Sequence, residues 1–255
     1  MDPAVPQPFI IREECHKAAW QNGYRRVLDE TDGWARFGST TAQGNIWLAA
    51  DGEQDQWFLA LDHPGVVTEL GLPSADLAGP GVARYTFADL TELYAVLPRI
   101  YQLATSLPDA PLNLFHQQTA NLPNTTETER LVVQRIGQDI FRKTLMEYWQ
   151  GRCPLTGITD PELLRASHII PWAECTDDAQ RLDVHNGLLL SALWDAAFDR
   201  ALVTFDNEGN PEFSPKLSAP ARQSLHWDHP LPLSDQHRQN LTAHRQRFQR
   251  TVQNG

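Results

Sequence analysis

The sequence predicts an α+β protein of two modules. Three observations carry this. Between Tyr24 and Val67, four short runs rich in aromatic and β-branched residues alternate with turn-forming residues, the pattern of a small antiparallel sheet. Two longer stretches repeat apolar residues at helical spacing, one from Leu90 to Tyr101 and one from Val132 to Trp149. Between Leu163 and Asp206, two apolar runs flank a polar loop and lead into a short helix.

Taken in order, RRVLDE, WARFGST, NIWLAAD and QWFLALD are the strands of the first module, and ETDG, TAQG and DGEQDQ are its turns. FADLTELYAVLPRIYQLATSLP follows as a helix, with Leu90, Leu93, Tyr94, Leu97, Ile100 and Tyr101 on one face and a kink at Pro98. The tryptophans and phenylalanines of this module read as core, and nothing in it has a catalytic pattern. LPDAPLNLFHQQTANLPNTTE is rich in Pro, Asn and Thr and reads as a linker, which divides the chain into modules 1–125 and 126–255. Thr126 and Glu129 form a capping-box pattern at the start of the next helix, and Gly151 is its stop.

The net charge is −11, which argues against a simple nucleic-acid binder with a basic footprint. The acidity is uneven. Residues 1–125 hold 7 Lys+Arg against 15 Asp+Glu, and residues 126–255 hold 14 against 17. Arg142, Lys143, Arg152 and Arg165 gather in the second half, where a local positive field matters more than the total. No apolar run reaches the roughly 18 residues of a membrane helix, and the first residues lack the basic and apolar regions of a secretion signal. Cys15, Cys153 and Cys175 are too scattered for a disulfide framework and fit a reducing cytoplasm.

The second module holds the chemistry. Leu163–Ile170 reads as a strand with His168 near its end. The loop ECTDDAQRLD follows, then the strand NGLLLS and the helix ALWDAAFDRALVTFD, in which Asp195 and Asp199 lie four apart and share a face. Taken alone, a strand histidine is an ordinary core residue and Asn186-Gly187 an ordinary turn. His185 reads as an exposed loop residue, and Trp172 and Trp194 as packing.

From about Ile136 to Asp206 the chain resembles the HNH endonuclease family, in its bacterial restriction-type branch, through SHIIPW, NGLLLS and FDR in that order. The tail LPLSDQHRQNLTAHRQRFQR is similar to the ends of such proteins, and the resemblance does not extend to the first 125 residues. The resemblance implies a ββα-metal fold and DNA as substrate, with RNA left open. It makes His168 the general base and Asn186 the loop residue that orients it. Asp195, nine residues after Asn186, falls where the family has its last histidine. Asp199 falls at a second ligand position, and Ser167 precedes the base where Asp or His is common. Arg142, Lys143, Arg152, Arg165 and Arg200 are the expected phosphate contacts.

The implied chemistry needs these groups. Phosphodiester hydrolysis requires a base for the attacking water, for which a histidine with an ordinary pKa of about 6.5 is suited. One divalent ion would offset charge on the phosphate and the leaving oxygen. With Asp195, Asp199 and Ser167 as ligands, the ion expected is Mg²⁺ or Mn²⁺ rather than Zn²⁺ or Ni²⁺. No structural zinc is expected, because Cys153 and Cys175 lack CxxC partners. The resemblance further implies a restriction or phage-defence role, a recognition or regulatory first module and room for a homodimer that cuts both strands. Two other readings share the same residues: a decayed HNH scaffold that binds DNA without cutting, and a toxin-like effector nuclease.

Overall fold

The computed structural model describes residues 2–53, 56–123 and 125–253, so two residues of the DGEQDQ turn and one of the expected linker lie outside it. The chain divides into two compact units, Met1–Ala110 and Pro111–Gly255.

The first unit starts with helix α1 (Phe9–Gln21) and a five-stranded antiparallel meander in sequence order: β1 (Arg26–Thr31), β2 (Trp34–Gly38), β3 (Asn45–Ala50), β4 (Trp57–Leu61) and β5 (Ala83–Phe87). Helix α2 (Pro64–Leu70) lies between β4 and β5, and α3 (Leu90–Ser106) follows with Pro98 in its interior. The first four strands stand where the alternating runs place them. β1 is an edge strand with all six residues exposed, whereas all five residues of β4 are buried. Both faces of β4 are covered, because side chains alternate across a strand. Phe58 and Ala60 join Trp34 and Ala49 under Trp47 and Leu77, and α2 and α3 pack against β4. α1 shows why it escaped the pattern reading: it buries Ile11, Cys15, Ala18 and Ala19, three of which are weak hydrophobic markers, and leaves Phe9, Ile10 and Trp20 exposed.

The second unit opens inside the expected linker. Helix α4 (Ala110–Thr119) buries Pro111 and Phe115, so 107–127 is not a plain connector and this unit begins at 111 rather than 126. Helix α5 (Glu127–Tyr148) has its capping box: Glu129 N–H donates to Thr126 Oγ1 at 3.3 Å, and the Glu129 carboxylate accepts from Thr126 N–H at 2.8 Å. It ends where Gly151 adopts a left-handed φ of +63°. Its buried face, with Gly137, Ile140, Phe141, Thr144 and Leu145, packs on a hairpin of β6 (Leu164–His168) and β7 (Gly187–Ser191).

Between those strands lie α6 (Asp178–Leu182) and a 3-10 turn, Val184–Asn186. Helix α7 (Ala192–Asp199) follows β7. The expected helix ALWDAAFDRALVTFD stops there: Ala201 takes φ +49°, and Val203–Phe205 is strand β8, paired with β9 (Pro211–Phe213). Val203, Thr204 and Phe205 favour a strand, and the turn at Gly209, φ +85°, returns the chain. Helices α8 (Ala219–Ser224) and α9 (Asp235–Gln253) complete the unit, with α9 packed on β8 and the 3-10 turn. Among the described residues no helix is long and apolar enough to cross a membrane.

Candidate active site

The β6–β7 hairpin sets the geometry. Ser167 pairs with Leu188 and His168 with Gly187. As neighbours on one strand, Ser167 and His168 point to opposite faces. Ser167 is buried and donates its hydroxyl to Asp195 Oδ1, which ties β6 to α7. His168 faces α5, where its ring stacks on Phe141 with centroids 3.7 Å apart and planes 16° apart, while Trp172 meets it edge-on at 5.6 Å. Gly187 makes the stack possible, because a Cβ there would lie 2.5 Å from Phe141 Cζ. Its φ of −145° is extended, so the glycine of Asn186-Gly187 serves close packing and not a turn.

His168 Nε2 lies 2.9 Å from the Arg181 carbonyl oxygen. A carbonyl only accepts, so Nε2 carries the proton and Nδ1 keeps its lone pair. Burial pushes the His168 pKa below 6.5, against the Arg181 carbonyl, which favours the charged ring. The ring is thus a neutral imidazole in one tautomer at neutral pH, with Nδ1 able to take a proton.

Asn186 does not touch that ring. It is fully buried, with Oδ1 accepting from Ile170 N–H at 2.8 Å. Its amide nitrogen donates to the carbonyls of Ile170 and Gln180 at 3.2 and 3.1 Å and reaches Cys175 Sγ at 3.4 Å. The expected orientation of His168 by an asparagine side chain is therefore replaced by a backbone carbonyl. Asn186 acts one step away, pinning the loop that carries Arg181.

Asp199 ends α7 one turn beyond Asp195. Its carboxyl is held above the usual range by partial burial and then by the charge of Asp195, while Arg247 and Arg200 oppose the shift. Among the described residues no three His, Cys, Asp or Glu side chains converge on a metal position. One carboxylate with a hydroxyl beside it is no cage for zinc. It fits a hard ion such as Mg²⁺, which keeps several waters and takes one or two carboxylates.

Three of the five expected phosphate contacts donate to main-chain carbonyls. Arg142 donates to the carbonyls of Leu164 and Pro161 at 2.8 and 2.7 Å. Arg165 donates to those of Glu162 and Leu164, and Arg152 to that of Gly157. These three guanidiniums brace the turns around β6. Lys143 and Arg200 are exposed.

His185 corrects the sequence reading most clearly. It is buried, 2.9 Å from Asp183 Oδ1, with its ring against Tyr148 and His237. Residue type alone also missed Arg181, because its carbonyl is what matters, and Phe141, although Phe141 falls on the apolar face of α5. Trp194 packs as expected, buried with Nε1 donating to the His226 carbonyl at 2.9 Å.

The antiparallel β6–β7 hairpin runs directly into α7, a ββα arrangement in which Ser167 and Asp195 bridge strand and helix and His168 stands at the strand end. Residues 153–206, from the turn before β6 to the end of β8, match the family model described as HNH endonuclease, so the C-terminal half carries an HNH endonuclease domain. No curated protein matches the chain.

Proposed function

We infer that the second unit is a metal-dependent endonuclease that hydrolyses DNA phosphodiester bonds. One observation carries this: the stretch that matches the HNH endonuclease model holds both His168, whose tautomer the Arg181 carbonyl fixes with Nδ1 left as proton acceptor, and Asp195, which Ser167 holds from the other face of β6. His168 Nδ1 takes a proton from a water, whose oxygen attacks phosphorus as the bond to the leaving oxygen breaks. Asp195, with Ser167 beside it, would hold the one divalent ion, Mg²⁺ or Mn²⁺, and Asp199 would add charge nearby. When bound, that ion offsets charge on the phosphate and the leaving oxygen. Phe141 and Trp172 keep the ring in place, and Asn186 keeps the Arg181 carbonyl aimed at it.

The first unit, with its acidic charge, is assigned target choice or gating rather than a grip on the DNA backbone. The resemblance supports a restriction or phage-defence role and a homodimer, and the three free cysteines support a cytoplasmic setting. A second reading, a scaffold that binds DNA without cutting, is favoured by one feature: serine where an acidic ligand is common, with no three-donor group among the described residues.

The test is supercoiled plasmid incubated with Mg²⁺, Mn²⁺, Ni²⁺ or EDTA. The nuclease reading expects nicking or linearisation with Mg²⁺ or Mn²⁺ and none in EDTA or with Asp195→Ala. Binding without cleavage under every metal supports the scaffold reading instead.

A further inference from the structure

Beside His168 the second unit holds a groove of about 550 Å³. His116 of α4 lines one wall, Arg130 and Val133 of α5 a second, and Trp172, Asp178 and Arg181 from the loop after His168 a third. Two residues join it to the candidate active site. Trp172 stands edge-on to the His168 ring. Arg181 gives its carbonyl to His168 Nε2, while its guanidinium lies 5.8 Å over the Trp172 ring.

We propose that this groove seats the nucleic-acid strand on one side of the scissile bond, with phosphates at Arg130 and Arg181 and a sugar or base against Val133 and Trp172. The proposal rests on the nuclease reading and adds where the substrate lies. Its chemistry is that of a single strand: cationic side chains beside an apolar and aromatic wall. Arg142, Arg152 and Arg165 face main-chain carbonyls, and Arg181 itself donates to those of Trp172 and Cys175 at 3.3 and 3.0 Å, which fixes its guanidinium at the groove wall beside Asp178. Arg130 makes one such contact, to Thr125 O at 3.2 Å, from an exposed position that leaves the rest of its fork available.

Asp178 gives the proposal a sign. Its carboxylate pairs with Arg181 at 2.8 Å inside the groove. It holds the guanidinium in place and repels an incoming phosphate. Removing that charge should therefore tighten nucleic-acid binding, which an anion-blind cavity would not show.

The experiment measures fluorescence anisotropy of a labelled single-stranded oligonucleotide and of its duplex, with full-length protein in EDTA over a salt series. Arg130→Gln should weaken binding roughly tenfold and lower the salt slope by about one. Asp178→Asn should tighten binding severalfold, with its melting temperature confirming a folded protein. Two variants that bind as wild type does, beside a wild type that cleaves plasmid, would overturn the groove and leave the nuclease reading standing. A wild type that neither binds nor cuts nucleic acid would overturn both.

Discussion

The Ser167 hydroxyl donates to the Asp195 carboxylate, joining the strand that ends in His168 to the helix after β7. This bond sets the direction in which Asp195 faces, and the first prediction follows from it. Ser167→Ala should reduce cleavage roughly tenfold to a hundredfold, the usual cost of losing a partner that orients a ligand. Asp195→Ala should abolish it. Ser167→Asp would put a second carboxylate at the same place and should lower the Mg²⁺ concentration for half-maximal rate. Metal titrations of plasmid cleavage check all three, with circular dichroism as the control for fold.

The pH profile follows from His168. The base acts in its neutral form, so activity rises with pH through its pKa. Burial lowers that pKa, and the acid limb of kcat/KM should have its midpoint below 6.5. Phe141→Leu removes the stacked ring, admits water and should move the midpoint back up while lowering kcat.

Asn186 is expected to matter first for stability. Its side chain satisfies Ile170 N–H and two carbonyls in a buried place. Asn186→Ala strands those groups and should cost about 2–4 kcal/mol by urea denaturation. Asn186→Asp keeps the acceptor and loses the donors. At neutral pH its second oxygen faces the Ile170 and Gln180 carbonyls, acceptor against acceptor, so it should destabilise at least as much as Asn186→Ala and lower kcat, because Gln180 precedes the Arg181 carbonyl that holds His168.

Gly187→Ala tests the packing beneath the base. The added methyl meets Phe141 Cζ at 2.5 Å, with Leu145 side-chain carbons at 2.7 and 2.9 Å. Destabilisation of about 1–3 kcal/mol is expected from such overpacking, with activity lost together with the displaced Phe141–His168 stack.

His244 gives the molecule a stability limit in acid. It is buried, stacked on Phe198, 2.9 Å from Thr204 Oγ1 and 2.9 Å from the Phe198 carbonyl. Burial pushes its pKa down to about 4. The folded ring therefore binds its proton less readily than the unfolded one, at about 6.5. Stability is fully present above pH 6.5 and falls as pH drops from there to 4, by about 3 kcal/mol in full. Melting temperatures measured between pH 7.5 and 4 should show the fall, and His244→Gln should flatten it.

The site was legible in sequence where residue type carries the chemistry. SHIIPW and NGLLLS located the hairpin on which the candidate residues lie, and the capping box located the start of α5. Less was legible where the main chain acts. The Arg181 carbonyl would be there with any side chain, so no spacing marks it. Asn186 was visible as a polar residue before a strand, but its partners are main-chain groups of a loop that periodicity does not resolve. The surroundings of the arginines were hidden for a related reason: charge was visible, and the carbonyls that engage Arg142, Arg152 and Arg165 were not. His185 is buried against His237 of α9, and His244, on α9 itself, is buried against Phe198 and Thr204, long-range packing that local polarity cannot report. In the first unit the meander was legible from turns and alternation, while α1 hid behind alanines.

The most direct test of the account is chemical rescue at His168. His168→Gly should fold, bind DNA and fail to cleave plasmid with Mg²⁺ or Mn²⁺, and added imidazole should restore part of the rate in proportion to its neutral form. A His168→Gly protein that cleaves as fast as wild type, with no response to imidazole, would contradict the assignment of His168 as the base.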